Sequence, residues 1–173
     1  MEFVRKAGNL YCEGVNTFLS LSSYKLPSPK VKTETHLPGG GIMELDVPLG
    51  AIEPLKLQFN LKGAPPAVLS QFGYSLGEVR LYTVYELMVD ELDGTKRERI
   101  VTMRGLFQEA DPDEMKGRGL NGYAYHIGSI IDYEDVIEGY GIIAAFRFKT
   151  NLRLGYLASA SSDAENRILR ISG

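Results

Sequence analysis

The chain has no tryptophan, two histidines and one cysteine among 173 residues. A lone thiol, Cys12, cannot close an internal disulfide, which sets aside a disulfide-stapled secreted scaffold. His36 and His126 lie far apart and in no metal-ligand spacing, so a zinc centre or a His-based active site has little to build on. Positive charge is not in excess either. Nineteen Lys+Arg against 22 Asp+Glu leave a formal net charge of −3. Proteins that neutralise many phosphates carry the opposite balance, so broad nucleic-acid binding is not expected. Long apolar runs are also missing. The stretch Gly63–Gly77 is uncharged, but Pro65, Pro66 and several glycines break it, and it is too short to cross a bilayer. Arg5 and Lys6 are followed by no apolar run, so no signal peptide and no membrane anchoring are expected. There is no Asn-x-Ser/Thr sequon.

What is present reads as one domain spanning 1–173. The chain is 44% hydrophobic and 24% charged, close to a soluble globular average. At this length it can bury roughly two-thirds of its unfolded surface, which argues against disorder. The pattern is mainly β. Glu53–Lys62 alternates, with Leu55, Leu57, Phe59 and Leu61 on one face and Lys56, Gln58, Asn60 and Lys62 on the other, as in a strand with one wet face. Glu78–Glu91 and Lys96–Gln108 flank Asp93-Gly94, a strong hairpin signal. Gly122–Asp135 and Tyr140–Lys149 form a second pair joined near Gly139. Leu152, Leu154 and Tyr156 suggest one more strand, and Asn9–Glu13 and Val31–Thr35 shorter ones. Helix is scarce. Pro65–Phe72 has prolines in its first turn and Val68, Leu69 and Phe72 at helical spacing. Asp163–Ile171 follows a possible capping box, Ser162-x-x-Glu165, although Ile168, Leu169 and Ile171 also fit a strand. Short strands with regular turns predict a β-sandwich or barrel.

Two stretches read as irregular. Leu26-Pro27-Ser28-Pro29 cannot continue a central strand. His36–Gly50 is rich in glycine and proline, yet it carries Ile42, Met43, Leu45, Val47 and Leu49. Apolar side chains clustered in a loop mark a partner surface.

Catalytic chemistry finds little support. Gly39-Gly40-Gly41 lacks the following Lys-Ser/Thr of a phosphate loop and the strand-before, helix-after setting of a dinucleotide site. Flexible or left-handed backbone explains the glycines. Asp111, Asp113 and Glu114 lack the length and central glycine of a calcium loop. A turn after a strand ending near Gln108 accounts for Asp111 and Pro112. Asp132, Glu134 and Asp135 form a second acidic cluster, with no cleft to make it a glycosidase pair. Cys12 has no flanking nucleophile signature and reads as a small packed residue. No Gly-x-Ser-x-Gly elbow occurs. The expectation is therefore no catalytic, cofactor or metal residue.

In order and spacing, several segments resemble the major tail tube proteins of contractile-tailed bacteriophages and R-type tailocins. Asn9-Leu10-Tyr11 with Gly14 is similar to the family's opening strand and turn. Leu26-Pro27 and Val31-Lys32-Thr33-Glu34 resemble its Leu-Pro…Lys-Thr-Glu segment. Gly40-Gly41-Ile42-Met43 is similar to the Gly-Gly-Met of its inter-subunit arm, with Ile42 inserted. Gly63 and Phe72-Gly73 sit at a glycine turn and a helix end. Thr102-Met103-Arg104-Gly105-Leu106, Glu109, Asp111-Pro112 and Lys116 resemble its Leu-Arg-Gly-Leu…Glu-x-Asp-Pro…Lys block. The likeness spans about Asn9 to Asp135 and leaves 157–173 without a counterpart.

The resemblance implies a β-sandwich or barrel-like tube fold with one short flanking helix and an extended inter-subunit arm at about 33–50. Leu37, Pro38, Gly39, Gly40, Gly41, Ile42, Met43, Leu45 and Val47 would then carry the subunit interface. Leu26, Pro27, Arg104, Gly105, Leu106, Asp111 and Pro112 would be structural. It further implies hexameric rings stacked into the inner tube of a contractile tail, a conduit for genome delivery. Partners would be further copies of the chain, a sheath protein, a tape measure protein and a baseplate initiator, with DNA passing through unbound. The location would be the virion tail, after assembly in the host cytoplasm. The alternatives are a ring-forming tube of type VI secretion or a tailocin-like system and, from another class, a small β-barrel ligand-binding module.

Overall fold

The computed structural model describes residues 2–72, 78–159 and 162–171. β1 (Val4–Cys12) turns through Glu13 and Gly14 into β2 (Val15–Asn16). Both turn residues have positive φ, 47° and 83°, as a two-residue type I′ hairpin requires. There follow β3 (Leu21–Lys25), β4 (Val31–His36), β5 (Leu45–Ile52), β6 (Leu57–Lys62), α1 (Pro66–Leu69), β7 (Arg80–Val89), β8 (Lys96–Pro112), β9 (Gly122–Ile137), β10 (Gly141–Arg147), β11 (Leu152–Gly155) and α2 (Ser162–Ile168).

One sheet runs in the order β2-β1-β7-β8-β9-β10-β11, with β6 also paired to β9 and β3 to β6. The long strands change partners midway. Gly122–Ile127 of β9 lies between β6 and the far half of β8, while Asp132–Ile137 lies between the near half of β8 and β10. The bend falls where the β8–β9 register shifts, at Gly105 and at Gly128-Ser129. Bulges of this kind bend a strand and increase its twist. Ser129 sits at φ 47°. A Cβ on Gly105 would come 2.8 Å from the Gly128 carbonyl oxygen, so the crossing needs a glycine. The bend sets β6 and the outer halves of β8 and β9 against β1, β7 and the inner halves. This is a β-sandwich-like arrangement, not a closed barrel.

The core lies between these layers. Leu57, Phe59 and Leu61 of β6 point inward, as their alternation predicts. They meet Leu10, Tyr82, Val84, Val101, Met103, Tyr125 and Ile127. Phe59 stacks on Tyr125 at 4.9 Å between centroids and reaches Tyr82 at 6.5 Å.

Part of the inner face is charged. Glu86, fully buried, accepts hydrogen bonds from Arg5 Nη1 (3.0 Å), Arg99 Nη1 (3.1 Å) and Tyr24 Oη (2.7 Å). Arg99 grips Asp135 with Nε at 2.8 Å and Nη2 at 2.6 Å. Tyr156 donates to Asp135 at 2.9 Å. Arg99 is held firmly protonated, chiefly by its hydrogen bonding to Asp135. Two acids and two arginines thus satisfy one another across β1, β7, β8 and β9, which is what keeps buried charge tolerable.

Several expectations need correction. β1 begins at Val4, not Asn9, because a bulge between Arg5 and Ala7 disguises its alternation. β3 gives no clear strand pattern in sequence, but its ladder to β6 makes it one. β8 does not end near Gln108. It continues through Asp111 and Pro112, which pair with Ala124 and Tyr123. Proline is accepted there because the far half of β8 pairs only with β9 and is an edge. The first helix is shorter than Pro65–Phe72, and Gly73 lies outside the described residues. The C-terminal segment is helical, which settles the helix-or-strand alternative at Ile168.

Candidate functional site

The arm is the most distinctive feature of the surface. His36–Gly50, expected as an irregular loop, belongs to a two-stranded antiparallel hairpin, β4 with β5, forming a sheet of its own. Pro48 is compatible because each strand has a partner on only one side. Register jumps from Lys32↔Ala51 to Thr33↔Pro48, leaving Leu49 and Gly50 as a bulge with Gly50 at φ 70°. At the tip, Gly41 N–H donates to Pro38 O at 2.8 Å. Gly40, at φ 80°, takes the position where a type II turn demands positive φ. Thr35 Oγ1 donates to Asp46 at 2.8 Å across the strands. At the foot, Lys30 pairs with Glu53 at 3.3 Å, and Glu53 N–H donates to Lys30 O at 2.8 Å.

Neither face of this hairpin is covered. Every residue from Val31 to Ala51 is exposed. Leu37, Ile42, Met43, Leu45, Val47 and Leu49 all present large apolar surface, with Ile42 fully exposed and Met43 at 80%. The structure therefore brings the sequence-predicted arm residues together on one projection. The second set lies elsewhere. Leu26 is half-buried against the core and Pro27 is buried where the chain leaves β3 for the arm. Gly105 is the β8 bend, with Arg104 exposed and Leu106 half-buried beside it. Asp111 and Pro112 close the β8–β9 ladder.

The other candidate groups resolve into structural roles. Asp113 caps the start of β9, accepting Gly122 N–H at 2.8 Å. Strand alternation splits the second acidic cluster, sending Asp135 inward and leaving Asp132 and Glu134 half-exposed on the other face. Cys12 is fully buried, and burial pushes its thiol up to about 12. Among the described residues no group of three or more His, Cys, Asp or Glu side chains is placed to hold a metal ion. No helix among them is long and apolar enough to cross a membrane.

One surface escaped sequence reasoning. A groove of about 740 Å³ opens beside the foot of the arm, between Ala51–Lys56 and the β9–β10–β11 corner. Ile52, Leu55, Ile130, Phe146, Phe148 and Leu157 form its apolar lining. Its signal was faint. The pair Ile130-Ile131 breaks alternation just after Gly128-Ser129, and Phe148 stands at the end of a strand.

No curated protein matches this chain. A family model described as phage tail tube protein FII matches residues 5–144, which takes in everything from β1 through most of β10. With a β-sandwich-like body, an uncovered hairpin and that match over most of its length, the chain belongs to the phage tail tube protein FII family, a family of structural components of the phage tail.

Proposed function

We propose that the whole chain acts as a single tube domain. Six copies form a ring, and rings stack into the inner tube of a contractile tail that conducts the genome through the host envelope. The observation that carries this reading is the hairpin. A two-stranded ladder is marginal in water unless it packs on something, and this one holds six large apolar side chains away from its own body. Burying such a side chain fully stabilises by about 1.5–3 kcal/mol. Leu37, Pro38, Gly39, Gly40, Gly41, Ile42, Met43, Leu45 and Val47 are the contact residues in this reading.

A head-to-tail contact closes into a ring when its rotation closes, and stacking then extends it along the axis. The flanking partners are a sheath outside, a tape measure inside and a baseplate complex that starts the tube. The net charge of −3 suits a conduit, because a polyanion slides past like charge without sticking. Assembly takes place in the host cytoplasm before the tail joins the virion.

The test uses the facing pair Lys32 and Ala51. Replacing Thr33–Gly50 with an Asn-Gly turn between them closes the ladder at its foot and leaves the body intact. Negative-stain microscopy across a concentration series should show rings or hollow tubes for the full chain and single small particles for the variant. Tubes from the shortened chain would refute the arm's role.

A further inference from the structure

We propose that the groove at the foot of the arm receives the arm tip of a second copy of this chain, so that each subunit carries both the plug and the socket of one repeating contact. This rests on the arm being an assembly element.

Four observations support the socket. First, it is continuous with the arm. β5 runs directly into the groove wall through Ala51 and Ile52, so plug and socket lie at opposite ends of one hairpin. Second, the arm does not fill its own socket. Six residues of extended strand span about 20 Å, the tip lies at the far end of the β4–β5 ladder from Ile52, and Ile42 and Met43 at that tip are exposed. A heterologous contact that passes from copy to copy is the arrangement left. Third, the apolar character matches. Ile42 and Met43 are bare at the tip, and the groove offers Phe146 and Phe148, the latter 70% exposed.

Fourth, the charges are complementary. The arm from Val31 to Ile52 has Glu34, Glu44 and Asp46 against Lys32 alone. The groove carries Lys56 and Arg153, while its acid, Glu53, is already paired with Lys30. Arg153 already gives Nη2 to Glu165 at 3.0 Å, so Lys56 is the cation this contact uses. Glu44, next to Met43 at the tip, is the carboxylate placed to meet Lys56.

The experiment is cross-linking in assembled protein. Met43→Cys and Phe148→Cys both alter exposed positions, and the native Cys12 is buried and does not interfere. A short bismaleimide added to tubes of the double variant should give a denaturing-gel ladder at multiples of the chain mass. Either single variant should give none. In parallel, Lys56→Glu and Glu44→Lys should each raise the concentration needed for tubes about tenfold, and combining them should restore it to within about twofold. Tubes that form without the 43–148 ladder would overturn the socket and leave the arm's role standing. An intramolecular link would overturn it as well, because the tip would then fill its own groove. A wild-type chain that never assembles would overturn the arm reading and this inference together.

Discussion

Asp135→Ala removes one carboxylate from the charged patch inside the sandwich, and its effect can be worked from the contacts. Asp135 is fully buried and accepts three hydrogen bonds, two from Arg99 and one from Tyr156. Without it, the Arg99 guanidinium keeps only Glu86 as a charged partner. Breaking a buried pair by deleting one member costs about 3–5 kcal/mol. Arg99 remains 17% exposed and retains Glu86, which puts the expected loss near the lower end, about 3 kcal/mol. For a chain of this size that lowers Tm by about 6–12 °C. The assay is thermal and urea unfolding by circular dichroism, held below the concentration at which the chain assembles, since assembly stabilises the folded form by mass action. A second variant fixes the cause. Asp135→Leu combined with Arg99→Met and Glu86→Gln removes the guanidinium together with both carboxylates it serves, and should be more stable than Asp135→Ala alone. A loss under about 1 kcal/mol for the single variant, or a triple variant no better than the single, would refute the claim that an uncompensated buried charge dominates.

Gly8→Ala would place a methyl group on Tyr24 Oη and drive that side chain off Glu86. The expected loss is about 1–2 kcal/mol, measured by urea unfolding, and it should shrink sharply in a Tyr24→Ala background, where neither ring nor hydroxyl remains. The alkaline limb of stability should follow Cys12. Its thiol titrates at an ordinary 9.0 when unfolded but at about 12 when buried. Above the lower value the unfolded chain holds fewer protons than the folded one, so stability is intact below pH 9 and falls towards pH 12. Urea midpoints between pH 8 and 11 should decline less steeply in Cys12→Ala, and equal slopes would assign the decline to other groups.

Where the sequence could be read and where it could not follows from how local each cause is. The alternation read over Glu53–Lys62 and the Asp93-Gly94 turn are written within a few residues; the hairpin forms as expected, and the strand forms over Leu57–Lys62, with 53–56 outside it. Glu86 and Asp135 look like solvent-facing charges. They point inward because Arg5, Arg99, Tyr24 and Tyr156 meet them from positions up to 81 residues away. β3 is a strand because β6 supplies its ladder and Tyr24 crosses to β7, neither of which its own five residues reveal. Pro112 looked like a stop but is tolerated because the far half of β8 is an edge with β9 alone beside it. The arm was half legible. Its glycines and apolar residues marked a projecting contact, while its ladder depends on a bulge that no periodicity signals. The groove draws on five separate stretches of chain and was legible only as an odd pair of isoleucines and an unusually apolar Tyr140–Lys149.

The hairpin also changes where the ordering entropy of assembly falls. Fixing the backbone of a loop costs about 1–2 kcal/mol per residue. A disordered arm would meet that cost when subunits join, and its few apolar side chains would be hard pressed to offset it. An arm already laddered from Val31↔Ile52 to His36↔Leu45 meets most of it during folding. Contact then has chiefly side chains left to order. Gly50 isolates this effect, because a Cβ there meets nothing within 4 Å yet φ is 70°. Gly50→Ala therefore touches no neighbour and removes no apolar group, but it strains the bulge that sets the ladder's register by about 1 kcal/mol. An arm already laddered carries this strain before and after assembly alike, so sedimentation of the tubes should show their threshold concentration within about twofold of wild type, while the melting of the unassembled protein's body stays unchanged. A threshold that rises about fivefold, the full effect of about 1 kcal/mol, would mean that the arm is disordered in the free subunit and forms its ladder only on assembly.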